Sequence, residues 1–308
     1  TLFRRTSPLK RKFDLTSGQK AQQPQNVRMT GFTLHRLHAS IGVEVRGIDL
    51  SAPMPKDTRQ ALGQAWLDHL ILLFRDQDLT PKAQRAFCEQ FGQLGGRLRK
   101  AEERPEGRDA ENIMLVTNVR KNGVPIGSLP DGEMFFHHDK CYAAEPDWGT
   151  MLYALEVTRA GGHTLFANMY AAWETLSNEL KEKLHGRRVL QIDKYLPTER
   201  VDLADGIDKY DHQWQPIVIT HPKSGRKALY VNELMSALID GYDEDESRSI
   251  IKRLNSHVKA ANIIYEHKWH RGDLMMWDNW CTMHARTDFP RNQTRMLRRY
   301  TIRGQKLS

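Results

Sequence analysis

The segment Phe136-His137-His138-Asp139 is the most informative part of this 308-residue chain. Residues two apart in an extended segment project from the same face, so His137 and Asp139 can converge on one ion while His138 points away. We therefore expect His138 to have a structural role or to support the metal ligands. A His-x-Asp triplet should arise by chance roughly once in a chain with this many histidines, so the pattern needs support from other residues.

A third candidate ligand lies far along the chain, at the end of Trp277-Asp278-Asn279-Trp280-Cys281-Thr282-Met283-His284. His284 follows Asp139 by 145 residues, so a shared metal would join two distant strands. Two imidazoles and one carboxylate can hold Fe(II) on one face and leave the opposite face open for chemistry. The sequence therefore predicts an oxygen-activating iron centre with His137, Asp139 and His284 as metal ligands and no catalytic side chain beyond them.

The distribution of apolar residues favours a mainly β fold with helical insertions. From about residue 110, short apolar segments alternate with Gly, Pro and Asn, as is typical of a sandwich or barrel. Alternating or short apolar runs predict strands over 42–50, 71–74, 189–193, 216–220 and 295–303. Periodicity and capping residues predict helices over 57–68, 81–91, 169–184 and 243–257. The polar stretch 195–213 has the length of a lid, but a plain insertion explains it equally well.

Basic residues concentrate at the N-terminus. Residues 1–28 carry seven basic groups and one acidic group, so they account for +6 of the net charge of +8. Because they contain little that could pack, we predict a disordered basic tail over 1–28 and a single domain over 29–308. The nearly neutral remainder argues against nucleic acid as a partner. No apolar run reaches the roughly 18 residues needed to span a membrane, so no membrane partner is expected.

The cysteine content indicates a reducing compartment, and we expect a cytoplasmic protein. Cys88, Cys141 and Cys281 have no paired spacing, which fits neither a disulfide framework nor a zinc ribbon. Cys141 and Cys281 are close in sequence to the predicted ligands. A thiolate there would compete for iron and oxidise, so both are predicted to line the site rather than to bind metal.

Two arginines follow His284 at a spacing that suggests an anionic co-substrate. Arg295 comes eleven residues after His284, and Arg299 comes four residues later. If 295–303 is a strand, both side chains lie on the face that bears the metal, where buried guanidinium groups need anions to pair with them. A dicarboxylate that chelates iron through a 2-oxo acid and extends its far carboxylate to an arginine meets this need. That description fits 2-oxoglutarate, although either arginine alone could be a solvated strand residue.

Taken together, these residues resemble the TauD/TfdA-like family of Fe(II)- and 2-oxoglutarate-dependent oxygenases, which includes taurine dioxygenase and 2,4-dichlorophenoxyacetate dioxygenase. The resemblance spans about residues 32–304. Besides the residues already named, its ordered motifs are Gly42-x-Glu44-Val45-x-Gly47-x-Asp49-Leu50, Phe74-Arg75-Asp76-Gln77, Gly161-Gly162-x-Thr164, Thr220-His221-Pro222-x-Ser224-Gly225-Arg226 and Tyr230-Val231-Asn232.

The resemblance implies a double-stranded β-helix, also called a jelly roll or cupin-like fold, with Fe(II), 2-oxoglutarate and O2 as cofactor and co-substrates. It assigns the iron to the three ligands named above. Thr164 and Arg295 match the residues that hold the far carboxylate of 2-oxoglutarate, and Arg299 matches the arginine that pairs with an anionic group of the substrate. Family members commonly associate as dimers or tetramers, so a homo-oligomer is expected.

Departures from the family pattern concern the substrate rather than the metal. Phe136 stands where the family often has Trp, and His163 replaces the usual acid in the Gly-Gly-x-Thr turn. Gly95 occupies the place of a substrate-contacting His of the taurine enzyme, which argues against taurine as the substrate. Glu133 stands in the place of a substrate-side Asn, where it could meet a cationic or hydroxyl group, or be solvated.

The function implied is hydroxylation of a small, anionic organic substrate, a carboxylate or sulfonate, with release of succinate and CO2. If the hydroxylated carbon bears a heteroatom, the product fragments, which would cleave a C–O or C–S bond. Asp139 favours hydroxylation over halogenation, because related halogenases lack this carboxylate.

The sequence disfavours two other functional classes. A non-catalytic metal or small-molecule sensor on the same fold is disfavoured by the complete ligand set together with Thr164 and Arg295. Hydrolysis by zinc uses the same ligand types but leaves Thr164 and Arg295 unexplained.

Overall fold

The computed structural model describes residues 27–29, 31–96, 113–128, 132–193, 203 and 206–308. The predicted basic tail lies outside these residues except for its last two, which belong to a strand that begins at Val27. Most of the stretch 195–213 also lies outside them. Its described part contains a 3-10 turn, Ile207–Lys209, and the start of a strand at His212. The tail and the lid therefore stay predictions.

The strands follow the predicted β pattern closely. In chain order they are β1 (Val27–Met29), β2 (Phe32–Arg36), β3 (Val43–Arg46), β4 (Ile71–Phe74), β5 (Met114–Thr117), β6 (Arg120–Lys121), β7 (Val124–Pro125), β8 (Met134–His137), β9 (Gly149–Glu156), β10 (Thr164–Asn168), β11 (Arg188–Ile192), β12 (His212–Pro216), β13 (Val218–Thr220), β14 (Lys227–Leu229), β15 (Ser236–Ile239), β16 (Ile264–His267), β17 (Leu274–Asp278), β18 (Thr282–Arg286) and β19 (Met296–Ile302). The strand predicted over 216–220 is interrupted at Ile217, so that its two ends belong to β12 and β13.

Two main sheets pack on each other. The large sheet has the order β1-β2-β3-β4-β17-β9-β19-β5, and the smaller one has the order β16-β10-β18-β8. Phe166 of β10 and Trp277 of β17 meet edge to face between them, with ring centroids 5.3 Å apart. Apolar side chains of both sheets belong to one buried core. This is the arrangement of a jelly roll, in which two sheets enclose the interior. Most neighbouring strands pair antiparallel, whereas β3 and β4 pair in parallel.

The helices lie in the connections between strands. They are α1 (Lys56–His69), α2 (Pro81–Glu89), α3 (Met169–Glu174), α4 (Asn178–Leu184) and α5 (Glu244–Ala260). As predicted, Thr80 caps α2, because its side chain accepts a hydrogen bond from the backbone N–H of Ala83. Asp243 caps α5 in the same way through Glu246.

The prediction of one helix over 169–184 was wrong. The structure has two helices, α3 and α4, separated by Thr175, Leu176 and Ser177. The Ser177 side chain accepts from the backbone N–H of Leu180 and thus starts a new helix. Serine competes for backbone donors in this way and favours the first position of a helix over its interior.

No helix within the described part of the chain is both long and apolar enough to cross a membrane.

Candidate metal and co-substrate site

The three predicted ligands come together on the smaller sheet. His137 ends β8, and His284 lies directly opposite it on β18 in the antiparallel register. Asp139 follows in a turn, with its Oδ1 3.8 Å from His137 Nε2 and 3.9 Å from His284 Nε2. One potential ligand atom from each residue lies within 4.8 Å of the other two. The side chains of His137 and Asp139 are nearly buried, and His284 is partly exposed.

The protonation of the imidazoles suits a metal ion. His137 Nδ1 lies 2.8 Å from the carbonyl oxygen of Phe135, to which it can donate its proton. The lone pair is then on Nε2, the atom that faces Asp139. Burial, and after it the neighbouring His137, lowers the pKa of His284 to about 3, so the ring is neutral at physiological pH. Two neutral imidazoles beside a carboxylate fit Fe(II), and the opposite side of such a set stays open for other ligands.

Asn279 fixes the backbone of the ligand turn. Its Oδ1 accepts from the N–H of Asp139 at 2.9 Å, and its Nδ2 donates to the carbonyl oxygens of Asp139 and Asp147 at 3.0 and 2.9 Å. The Thr150 hydroxyl adds a contact of 3.3 Å to Asp139 Oδ2. Asn279 was not singled out as a functional residue from sequence. The Trp277-Asp278-Asn279 motif drew attention to this position, but it did not show that the Asn279 side chain binds the backbone of the turn that carries Asp139.

Arg299 of β19 connects the large sheet to the ligand turn. Its Nη1 lies 3.0 and 3.1 Å from the two carboxylate oxygens of Asp139. Burial by itself would raise the pKa of Asp139, but the positive charge of Arg299 and the two ligand histidines outweigh it and hold that pKa well below its usual range. Asp139 is therefore ionised and able to bind a cation. Whether Arg299 also meets a substrate anion stays a prediction.

The residues predicted to hold the far carboxylate of 2-oxoglutarate are both buried. Thr164 opens β10, and its Oγ1 accepts from the indole N–H of Trp269 at 2.9 Å. Arg295 lies just before β19 and donates through Nε to the carbonyl oxygen of Gly162 at 3.2 Å. Arg295 Nη1 is buried and has no hydrogen-bond partner among the described residues. These features fit a subsite that takes up an anion.

Two further predicted positions lie outside this cluster. Glu133 is exposed just before β8, so it is available to a ligand at the surface of the site or to water. Gly95 donates its backbone N–H to the carbonyl oxygen of Thr301. A Cβ at residue 95 would overlap Thr301 Oγ1 and lie 2.6 Å from Asp147 Oδ1, so a larger residue would require these side chains to move.

His138 and the cysteines do not join the ligand set. The His138 ring is fully buried against Tyr230, with ring centroids 4.3 Å apart. Cys141 and Cys281 are fully buried, and neither forms a disulfide. Burial raises the pKa of both thiols, which therefore stay protonated.

A second group with metal-binding side chains, His221, Asp278 and Cys281, is a structural contact rather than a metal site. Its potential ligand atoms lie within 4.8 Å of one another, and all three residues are buried. However, His221 Nδ1 accepts from the backbone N–H groups of Lys223 and Ser224, so the ring proton is on Nε2. Nε2 lies 3.1 Å from Asp278 Oδ2, and with its proton in place it has no lone pair to offer a metal.

The chain is similar to known proteins over most of its length. The model of the taurine catabolism dioxygenase TauD, TfdA family matches residues 33–301. An alpha-ketoglutarate-dependent 2,4-dichlorophenoxyacetate dioxygenase from Cupriavidus pinatubonensis is 30% identical over 281 residues, which cover 86% of this chain and 95% of that protein. A pentalenolactone F synthase from Streptomyces arenae is 30% identical over 278 residues, which cover 84% and 91%.

A solved structure, that of AAD-2 in complex with Mn(II) and N-oxalylglycine, has a TM-score of 0.74 and 29% sequence identity, and the match covers 90% of this chain and 98% of that one. The predicted jelly-roll fold and the predicted family are thus confirmed. The match of the family model to residues 33–301 and the whole-length likeness to its members lead to one conclusion: this chain belongs to the TauD/TfdA family of Fe(II)- and 2-oxoglutarate-dependent dioxygenases.

Proposed function

We propose that this dioxygenase hydroxylates a small anionic organic substrate, a carboxylate or sulfonate, and releases succinate and CO2. Where the hydroxylated carbon bears oxygen or sulfur, the product would fragment with cleavage of the C–O or C–S bond. The dichlorophenoxyacetate named for the Cupriavidus relative is a carboxylate of this kind. The pentalenolactone relative indicates that substrates differ among similar chains, so the choice of substrate depends on residues particular to each pocket.

The observation that carries the proposal is the set of three metal ligands beside the buried Arg295 and the partly buried Arg299. His137, Asp139 and His284 would hold Fe(II), which when bound supplies the site where 2-oxoglutarate and O2 react and a substrate C–H bond is oxidised. Arg295 and Thr164 would orient the co-substrate through its far carboxylate. Asp139 and Arg299 form a partly buried ion pair beside the metal position, so a substrate anion near Arg299 would be held close to the reacting centre.

An anaerobic titration tests the co-substrate part of the proposal. Addition of 2-oxoglutarate to the Fe(II)-loaded chain should produce a weak visible charge-transfer band, and Arg295→Ala should require a higher concentration of 2-oxoglutarate to produce it. Removing one member of a buried charge pair typically weakens binding by about tenfold or more. Succinate release in the presence of a panel of carboxylates and sulfonates then identifies the substrate class. Iron binding without any band would contradict the proposal.

The role of Arg299 in substrate binding is tested by comparing a charged substrate with an uncharged analogue. If Arg299 binds the substrate anion, Arg299→Lys should raise the KM for the acid more than the KM for its uncharged amide. An equal rise in the KM values for the acid and the amide would instead mean that Arg299 only stabilises the carboxylate of Asp139.

A further inference from the structure

Lys140 directly follows the predicted metal ligand Asp139 and adopts a backbone conformation that its residue type disfavours. Its φ is +54°, in the left-handed region where a Cβ atom crowds the following carbonyl oxygen. Glycine reaches this region without that cost, and Asn or Asp enters it more readily than lysine does. Strain of this kind persists where the surrounding structure holds the residue in place. A lysine at this position therefore directs attention to the contacts of its side chain.

The side chain of Lys140 makes two polar contacts within the protein. Its Nζ lies 2.7 Å from Oδ2 of Asp147, and the two side chains are only 15% and 5% exposed. Nζ also donates to the carbonyl oxygen of Gly96. Asp147 Oδ2 is buried and accepts no directed hydrogen bond within the described part of the chain, so the neighbouring ammonium group is what compensates its charge. The two residues form a buried ion pair in which each depends on the other.

Both partners of Lys140 lie beside the end of β19. The residue after Asp147 donates its backbone N–H to the carbonyl oxygen of Ile302, and the residue before Gly96 donates to that of Thr301. Thr301 and Ile302 are the last residues of β19 in the large sheet. The ammonium group of Lys140 therefore ties the turn that follows β8 to the large sheet.

Lys140 and Asn279 hold consecutive residues of the same turn. Asn279 bonds the backbone N–H and the carbonyl oxygen of Asp139, whereas the ion pair of Lys140 fixes the next residue along the chain. With the backbone held on both sides, the Cα–Cβ bond of Asp139 has little freedom of direction. Its carboxylate is thus kept near His137 and His284, whose Nε2 atoms lie 3.8 and 3.9 Å from Oδ1.

We propose that Lys140 is a positioning residue for the metal, and that its ion pair with Asp147 holds the ligand turn so that the carboxylate of Asp139 meets the ion bound by the two histidines. The inference rests on the proposed function, because it takes Asp139 to be a ligand of Fe(II). Lys140 acts through Asp139 and is assigned no contact with the metal or the substrate. Its effect should therefore appear in metal affinity and in coordination geometry.

Substitution of Lys140 by glycine separates the side chain from the backbone. Gly removes the ammonium group but adopts the left-handed conformation without strain, so a role limited to the backbone of the turn would leave metal binding unchanged or improved. We expect Lys140→Gly and Lys140→Met each to weaken Fe(II) binding by about tenfold or more, as is common when a residue that orients a metal ligand is lost. Lys140→Arg, which can keep the ion pair, should stay near the wild-type affinity. Anaerobic Fe(II) titration against a competing chelator measures these values.

The ion-pair partner distinguishes positioning from general stability. Lys140→Met leaves the carboxylate of Asp147 buried without a compensating charge, which lowers the free energy of unfolding. Addition of Asp147→Asn removes that charge, so the double variant should recover stability in urea unfolding. Its affinity for Fe(II) should stay low, because the contact that holds the turn is still missing. Recovery of metal affinity together with stability would overturn the inference.

The charge-transfer band of the anaerobic chain with Fe(II) and 2-oxoglutarate gives a spectroscopic measure of the same role. At saturating concentrations of both, the band of Lys140→Gly and Lys140→Met should be shifted or broadened, because the carboxylate ligand is less well oriented. The band of Lys140→Arg should match that of wild type.

Two variants serve as matched controls. Asn122→Gly changes another residue with a left-handed backbone, whose φ is +50°, in the exposed connection between β6 and β7. Lys259→Met removes the lysine of another ion pair, in which Nζ of this α5 residue lies 2.6 Å from Oε2 of Glu233. Neither variant should change the dissociation constant for Fe(II).

The outcomes separate the inference from the proposed function. If Asp139→Ala binds Fe(II) as tightly as wild type, the carboxylate is not a ligand and the proposed function fails. If Asp139→Ala loses Fe(II) binding while Lys140→Gly and Lys140→Met keep the wild-type dissociation constant, only the inference is overturned. It is also overturned if Lys140→Arg loses as much affinity as Lys140→Met, since the ion pair would then not be what holds the turn. If Lys140→Gly does not fold, Lys140→Met and its double variant with Asp147→Asn decide the question.

Discussion

The hydroxyl group of Thr164 shows how one buried hydrogen bond can orient a ligand-binding residue. The indole N–H of Trp269 can only donate, so Thr164 Oγ1 must act as the acceptor in their 2.9 Å contact. The hydroxyl proton of Thr164 is then left for an acceptor, such as the carboxylate of 2-oxoglutarate. Trp269 would therefore be a positioning residue, which acts on the co-substrate through Thr164.

Substitution of Trp269 by Phe should weaken co-substrate binding without affecting the chemical step. Phe keeps most of the ring packing against His267, but it removes the donor, so Thr164 can rotate. The loss of one hydrogen bond of about 1 kcal/mol predicts a roughly fivefold rise in the KM for 2-oxoglutarate, with kcat nearly unchanged. A double-mutant cycle with Thr164→Val checks the mechanism. If Trp269→Phe costs as much in the Thr164→Val background as in wild type, the effect does not pass through Thr164.

At the scale of elements, the turn after β8, which carries Asp139, is held in place by Asn279 from the loop between β17 and β18. Asn279 lies between β17 and β18 and makes three hydrogen bonds with the backbone of the segment that carries Asp139 and Asp147. Asp139 itself is not within a strand, so pairing in the sheet does not hold it. The amide of Asn279 replaces the missing strand partner.

Asn279→Ala should therefore reduce metal affinity as well as stability. It leaves buried backbone groups of the ligand turn without partners, which typically costs about 1–3 kcal/mol for each unsatisfied group. Residues that orient metal ligands commonly contribute about 10- to 100-fold to affinity, and we expect a loss in that range for Fe(II). Equilibrium metal titration and urea unfolding measure the two effects.

Asn255→Ala is the matched control for this prediction. Asn255 is also buried, but its amide donates to the carbonyl oxygen of Ile251 within α5, away from the ligand turn. It should lower stability and leave metal affinity unchanged. Equal losses of metal affinity in the two variants would mean that Asn279 acts through overall stability only.

Over the whole molecule, buried neutral histidines make the stability of the metal-free chain sensitive to acid. Burial is the main cause that lowers the pKa of His137, His138, His267 and His284 from the ordinary value of 6.5. Their folded-state pKa is depressed, so the unfolded chain takes up protons that the folded chain excludes. The stabilising contribution is fully present above pH 6.5 and is lost as the pH falls, for His284 down to its pKa of about 3.

We expect the free energy of unfolding of the metal-free chain to decrease between pH 7.5 and 5.5. Each histidine that stays neutral in the fold contributes roughly 1 kcal/mol per pH unit to this loss below its unfolded-state pKa. Urea unfolding at several pH values measures it. His138→Phe should reduce the slope, because the imidazole nitrogens have no hydrogen-bond partner among the described residues and a phenyl ring can keep the packing on Tyr230. If the pH dependence of the unfolding free energy is the same in that variant as in wild type, His138 does not contribute to the acid sensitivity.

Local patterns were enough to predict most elements, because helices and strands are encoded by nearby residues. The strand Ile71–Phe74 matches its prediction, and the helix predicted over 57–68 extends by one residue at each end. The division between α3 and α4 was missed because Ser177 reads equally well as a helix residue until its cap is seen. The Val27–Met29 strand was missed because three residues carry too little periodicity.

The sequence alone determined which chemistry is available to this protein. The residue types His137, Asp139 and His284 with the two arginines after them are sufficient to propose an iron centre and a dicarboxylate co-substrate, since ligand chemistry depends on the side chains present. The tertiary structure decided which groups meet. The clamp of Asn279 on the ligand turn and the pairing of Arg299 with Asp139 both join residues more than 100 positions apart in the chain. Such contacts depend on sheet register and packing, which no local pattern encodes.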